Sequence, residues 1–156
     1  MHFTLLNHKI ELMVEDKVYY TLQRYQAQSV FTRESGGMLI GELNPAKKQI
    51  IITDMTTPQK KDKSTFNRFI RSEYGHQDIM DKLWKESGYK KMYLGEWHTH
   101  NQNVPVPSCV DLRNWSSISN RPQNSDYMFF CIVGKQEIKF WCVHEKRIFE
   151  MNANVS

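Results

Sequence analysis

One stretch, from Lys91 to Asp111, limits what this chain can fold into. It opens with Lys91-Met92-Tyr93-Leu94-Gly95-Glu96-Trp97-His98-Thr99-His100, an apolar and aromatic run that predicts a strand over 91–98. His98 and His100 are two apart, and residues at that spacing in a strand point to the same side. The run Asn101-Gln102-Asn103-Val104-Pro105-Val106-Pro107 reads as an irregular loop because of its two prolines. Ser108 is a good helix N-cap, Asp111 falls in the first turn, and a helix is expected over 108–118. A strand end and a following helix start can therefore meet at one point. Two imidazoles and a carboxylate there supply three ligands to one metal and leave the fourth position of a tetrahedral zinc for water. Taken alone, His-x-His is weak, and Asp111 need do no more than complete a capping box with Ser108.

The full spacing is more specific. His-x-His, seven residues, Ser, two residues and Asp resembles the signature of the JAMM/MPN+ metalloproteases at all four positions. That family pattern also has a glutamate upstream beside a glycine-containing strand. Glu34 before Ser35-Gly36-Gly37-Met38-Leu39-Ile40-Gly41 matches it. The resemblance implies one JAB/MPN+ domain over residues 1–156, with a Zn2+ cofactor on His98, His100 and Asp111. It makes Glu34 the base that takes a proton and returns it to the leaving amine, and Ser108 the donor to the oxyanion. Without the motif, Glu34 reads as a surface carboxylate at a helix exit. A Ser108 hydroxyl used on an oxyanion cannot also be fully spent as a cap.

One departure stands out. Many members of that family place proline after the second histidine, where this chain has Asn101. The ligands are untouched, so the departure bears on loop shape and substrate preference. The version Gly95-Glu96-Trp97-His98-Thr99-His100 resembles the small stand-alone prokaryotic members. These include enzymes encoded beside E1/E2-like proteins in anti-phage (CBASS) operons, where a nucleotidyltransferase (CD-NTase) is joined to targets by its C-terminus and the JAMM enzyme releases it. The resemblance thus implies an isopeptidase acting after a flexible C-terminal tail, with a CD-NTase or a ubiquitin-like protein as partner substrate. The alternatives are trimming of a sulfur-carrier or ubiquitin-like tail, and a non-catalytic scaffold; the intact ligand set counts against the scaffold. The family's layout makes 101–107 and 56–65 the walls of the site, and a nearby strand edge the dock for an extended tail.

The rest of the chain bounds these readings. At 156 residues it is one domain by length. Hydrophobic content of 40% is ordinary for a globular chain. A net charge of +4 is mild, and Lys60, Lys61 and Lys63 read as a solvated loop, so no nucleic-acid partner is expected. No run of about 18 apolar residues exists, so neither a membrane span nor a membrane partner is expected, and no signal peptide is evident. Cys109, Cys131 and Cys142 lack paired spacing and read as reduced thiols in a cytoplasmic protein. Cys109 is expected to be a small buried residue, a spare ligand or redox switch being the lesser reading. His2, His8, His76 and His144 lack ligand spacing and are assigned to the surface or its boundary. Trp97 and Trp115 are expected to pack in the core.

In order, a short strand or hairpin is expected over Phe3-Thr4-Leu5-Leu6 and Ile10-Glu11-Leu12, then a helix over 15–28 with Val18, Leu22 and Tyr25 on one stripe. Residues 37–43 and 49–55 form a hairpin across the turn 44–48. Residues 56–65 are loop, 66–73 a strand, and 76–87 a helix with Ile79, Met80, Leu83 and Trp84 inward and Gly88 as its stop. A second hairpin spans 126–133 and 137–144, with an edge strand at 147–151. This order predicts an α/β fold, a mixed sheet flanked by helices. The family implies its curved, cytidine-deaminase-like form.

Overall fold

The structure is a computed structural model describing residues 1–4, 10–28 and 33–154. Its elements are β1 (His2–Thr4), β2 (Glu11–Val14), α1 (Asp16–Gln28), β3 (Gly36–Asn44), a 3-10 turn (Pro45–Lys47) and β4 (Gln49–Met55). Then come β5 (Lys63–Thr65), β6 (Arg68–Ile70), α2 (His76–Glu86), β7 (Met92–Thr99) and α3 (Cys109–Ser119). The chain closes with β8 (Met128–Val133), β9 (Ile138–His144), β10 (Arg147–Glu150) and β11 (Asn152–Asn154).

Nine strands make one sheet in the order β10-β9-β8-β7-β3-β4-β2-β1-β11. The pairs β7–β8 and β2–β4 are parallel and the others antiparallel, so the sheet is mixed. β10 and β11 stand at opposite ends of that order, yet only Met151 separates them in the chain. The sheet must therefore curl until its ends approach. The Met151 amide donates to the Phe140 carbonyl at 2.9 Å, and the rings of Phe3 on β1 and Phe140 on β9 lie 4.6 Å apart.

Alternation along β8 shows how both faces are used. Phe129, Cys131 and Val133 enter the main core inside the curl, with Phe3, Leu12, Leu94 and Trp97. α1 crosses this face and adds Val18 and Leu22, with Tyr25 packed beside them. Met128, Phe130 and Ile132 face the other way and meet Trp115 of α3, whose ring stacks on Phe130 at 4.9 Å. α2 sets Met80 against Met38 and Ile40 of β3. A strand covered on both faces needs no polar alternation, which is why β8 reads as an unbroken apolar run.

Gly95 marks where β7 bends. Its φ of 142° is one that L side chains rarely adopt, and a Cβ there would run into the Phe129 carbonyl. The β3–β7 register shifts opposite it, between Leu39 and Ile40.

The expected elements are present with ends moved by a few residues. The first hairpin covers 36–55, α2 ends before Gly88 at φ 66°, and the strand at 147–150 is an edge of the sheet. Four readings change. The strand expected over 66–73 is only β6, and it pairs with β5, inside the stretch read as loop, as a separate two-stranded ribbon. His76 is fully buried, because it closes a polar network and does not lie at the surface. Cys109 is exposed, since α3 turns Trp115 inward and Cys109, six residues earlier, lies off that face. Trp84 is 42% exposed and meets Tyr89 edge-on at 4.5 Å, one turn beyond the stripe that Met80 and Leu83 fill. β11 is an addition to the expected elements, while Leu5, Leu6 and His8 lie outside the described residues. Among the described residues no helix is long and apolar enough to cross a membrane.

Candidate metal centre

The centre forms where three elements end. β7 runs between β3 and β8, so its last residues are held from both sides, with His98 opposite Gly36 and opposite Ile132. Beyond the ladder, the Thr99 amide donates to the Ser35 carbonyl at 2.8 Å and the Ser35 amide donates to the Thr99 hydroxyl at 2.9 Å. The His100 amide donates to the Val133 carbonyl at 3.0 Å. These bonds fix both histidine backbones and set Glu34, just before Ser35, at the same end of the sheet.

The loop after His100 is fastened to the β8–β9 turn. The Lys135 amide donates to the Gln102 carbonyl at 2.7 Å and the Gln136 amide to the Asn103 carbonyl at 2.9 Å. Gln102 Oε1 accepts from the Val106 amide at 3.1 Å and faces His100 Nδ1 at 3.2 Å, which turns His100 Nε2 inward. The loop then delivers Ser108 as the N-cap of α3. The Ser108 amide donates to Asp111 Oδ2 at 2.7 Å, and the Asp111 amide donates to Ser108 Oγ at 3.1 Å, a complete capping box.

His98 Nε2 lies 3.2 Å from Asp111 Oδ1, His100 Nε2 lies 3.2 Å from Asp111 Oδ2, and the two Nε2 atoms are 3.0 Å apart. All three side chains are at most 14% exposed. Two lone-pair-bearing nitrogens and a carboxylate oxygen aimed at one point repel unless a proton or cation stands between them, so this donor set fits a divalent metal. It is the metal-capable cluster found among the described residues. The capping box engages Asp111 Oδ2, which also faces His100, and leaves Oδ1 to His98.

The charges fall as this packing requires. Burial would raise the Asp111 carboxyl, but bonds from His100, His98 and Ser108 outweigh it and hold the group well below the usual carboxylate range. Burial opposes a charge on His100, yet its bond to Asp111 prevails and moves it up. Glu34 is 8% exposed, and burial pushes its carboxyl up to about 7, with the His100 charge opposing and the Asp111 charge adding.

Glu34, Ser108 and the three cluster residues all line one cleft of about 460 Å³. Asn101 and Gln102 form part of its wall, as expected of the loop. The other wall is not the polar stretch 56–65. It is Phe66, Asn67, Arg68 and Phe69, the tip and second strand of the β5–β6 hairpin. The alternation over 66–73 predicts a strand there, but nothing local says that it pairs with 63–65 or that it walls the cleft. The Ser108 hydroxyl donates to Asp111 Oδ2 at 2.7 Å, so here its proton serves the carboxylate.

Fold and cleft together define a JAB-type α/β domain. The family model for prokaryotic homologues of the JAB domain matches residues 16–144, and the chain belongs to that family. It is similar to a CD-NTase/cGAS isopeptidase of Escherichia coli (strain TW11681), 30% identical over 81% of this chain and 78% of the relative. A CD-NTase/cGAS isopeptidase of Vibrio cholerae is 29% identical over 87% of this chain and 83% of the relative. The solution structure of a protein from Desulfitobacterium hafniense covers 89% of this chain and 88% of its own at a TM-score of 0.63 and 17% identity, a likeness of fold.

Proposed function

We propose that this protein is a zinc-dependent isopeptidase that cuts the amide after the flexible C-terminal tail of a CD-NTase, in anti-phage defence of the CBASS type. The observation that carries the chemistry is the convergence of His98, His100 and Asp111 beside a buried Glu34. The name shared by the relatives supports the substrate.

Zinc bound by these three residues would supply a water of pKa near about 7 and polarise the scissile carbonyl. Every other step falls to the chain. Glu34, a buried carboxyl lining the same cleft, is placed to take a proton and return it to the leaving lysine amine. The Ser108 hydroxyl can turn from Asp111 Oδ2 to an oxyanion, because the Ser108 amide keeps that carboxylate oxygen held. The outer edge of β6 carries no strand among the described residues, and its Arg68 and Phe69 line the cleft. An extended tail paired along that edge would lead its last residue to the metal.

The test is cleavage of a CD-NTase carrying a C-terminal protein fusion. The zinc-loaded wild type should release the fusion and a chelator should stop it. A tail shortened by several residues should resist, because a folded body cannot thread into the cleft. Equal cutting of internal loops in unrelated folded proteins would replace this reading with a general peptidase.

A further inference from the structure

Behind the hairpin that walls the cleft lies a buried polar relay outside the metal centre. Asp62, just before β5, has a side chain 3% exposed. Its Oδ2 accepts from the Gln59 amide at 2.7 Å and its Oδ1 from the Ser72 amide at 2.8 Å, so one carboxylate clasps both ends of the β5–β6 hairpin. Oδ2 also meets His76 Nε2 at 2.8 Å, and His76 Nδ1 meets the Thr56 hydroxyl at 2.6 Å. Thr56 Oγ1 accepts from the Met38 amide at 2.7 Å, and the Thr56 carbonyl accepts from Trp97 Nε1 at 2.8 Å. The hydrogen assignment that satisfies every group has Thr56 donating to Nδ1 and Nε2–H donating to Asp62.

Threonine, histidine and aspartate in this order match a nucleophile, base and orienting group. The arrangement is not a second catalytic site. Thr56 is 1% and His76 0% exposed, and the threonine oxygen is already engaged by Met38. The relay's outlet is mechanical. It ties the base of the hairpin to β3, β4 and β7 at once. From that base β5 runs to the start of β3, where the Glu34 amide donates to the Thr65 carbonyl at 2.8 Å and the Ser64 hydroxyl donates to the Glu34 carbonyl. After β6, Arg71 donates to Glu96 of β7 through Nε at 2.9 Å, and its Nη2 lies 2.8 Å from the same oxygen. The Phe69 ring lies over Gly36, where any Cβ would strike it.

We infer that Asp62 is a positioning residue for the isopeptidase reaction, setting through the hairpin where Glu34 and the Phe66–Phe69 wall stand. This rests on the reading of Glu34 as the proton carrier. Burial would raise the Asp62 carboxyl, yet its bonds from Gln59, Ser72 and His76 lower it, so the clasp is held as a carboxylate. Displacing a reacting group by about 1 Å can cost on the order of a hundredfold, so a loosened hairpin should reach the rate without touching the metal.

The experiment compares zinc-loaded Asp62→Ala, Asp62→Asn and Ser64→Ala with wild type on the same CD-NTase fusion, reading kcat and KM separately, zinc content, and hydrogen exchange. Asp62→Ala should keep its zinc, lose at least roughly tenfold in kcat, and exchange faster at the Glu34 amide and over 63–70. Asp62→Asn, which still accepts at one oxygen, should recover part of the kcat. Ser64→Ala removes only the bond to the Glu34 carbonyl and should lower kcat a few-fold, which keeps the test open if Asp62→Ala fails to fold. In a Glu34→Gln background, Asp62→Ala should lower kcat by less than in the wild type, since only the share carried by the Phe66–Phe69 wall remains; an undiminished loss overturns the inference that Asp62 positions Glu34. Full kcat in Asp62→Ala or Ser64→Ala, with Glu34→Gln inactive, overturns the inference and leaves the proposed function standing. Full activity in Glu34→Gln overturns the proton-carrier reading, and the positioning role with it.

Discussion

The two walls of the cleft are built in opposite ways. On one side, His98, His100, Ser108 and Asp111 come from one strand, loop and helix in succession, and their contacts span 2 to 13 residues. On the other side, the Phe66–Phe69 hairpin and its base are held by side-chain bonds that reach 14 to 30 residues along the chain and by the backbone bond from the Glu34 amide to the Thr65 carbonyl. The first wall concentrates charge that only a cation or proton can reconcile. The second is a closed set of hydrogen bonds in which each donor has an acceptor. Breaking the first should therefore cost chemistry while the fold persists. Breaking the second should cost position while the metal persists.

The predictions sharpen that contrast. The largest loss of rate with metal retained is expected from Glu34→Gln, which cannot exchange a proton. Turnover of the CD-NTase fusion should fall about 10²–10⁴-fold with zinc unchanged, and wild-type turnover would show that another group is the base. Ser108→Ala should fall next, by about 10²-fold in kcat if the hydroxyl serves the oxyanion. The same change weakens the α3 cap by about 1 kcal/mol, which a denaturant titration reads separately from the rate.

The smallest effect is a pH dependence of the metal-free protein. Glu34 moves from the ordinary value of 4.5 to about 7 on folding. The folded state thus holds this proton more tightly than the unfolded one. Its contribution to stability is fully present below about 4.5, is lost as pH rises towards about 7, and changes no further above that. Glu34→Gln removes the loss, so its melting temperature should exceed the wild type's by more at pH 8 than at pH 5. A gap that stays constant would show that burial does not govern this carboxyl.

The same contrast explains what the sequence makes legible. Ligand spacing along one strand, loop and helix is a local pattern, so the sequence can suggest that His98, His100 and Asp111 share one point, and the family motif makes that suggestion specific. β8 and the 36–55 hairpin announce themselves by apolar runs around turn residues. Glu34 carries no local signal and is reached only through the family pattern. The place of 66–69 at the cleft and the burial of His76 escape a sequence reading, although a strand is legible at 66–73, because both depend on non-local bonds that no local periodicity encodes. The approach of β10 to β11 is a property of the whole sheet's curl, and strands of four and three residues at its two edges do not encode it alone.

The central claim is that His98, His100 and Asp111 hold one metal ion that Glu34 serves without ligating. It is tested most directly by elemental analysis of purified wild type, Glu34→Gln and the His98→Ala/His100→Ala double variant, each shown folded by circular dichroism. About one zinc per chain is expected in the first two and none in the third. Equal zinc in the wild type and the double-histidine variant would contradict it.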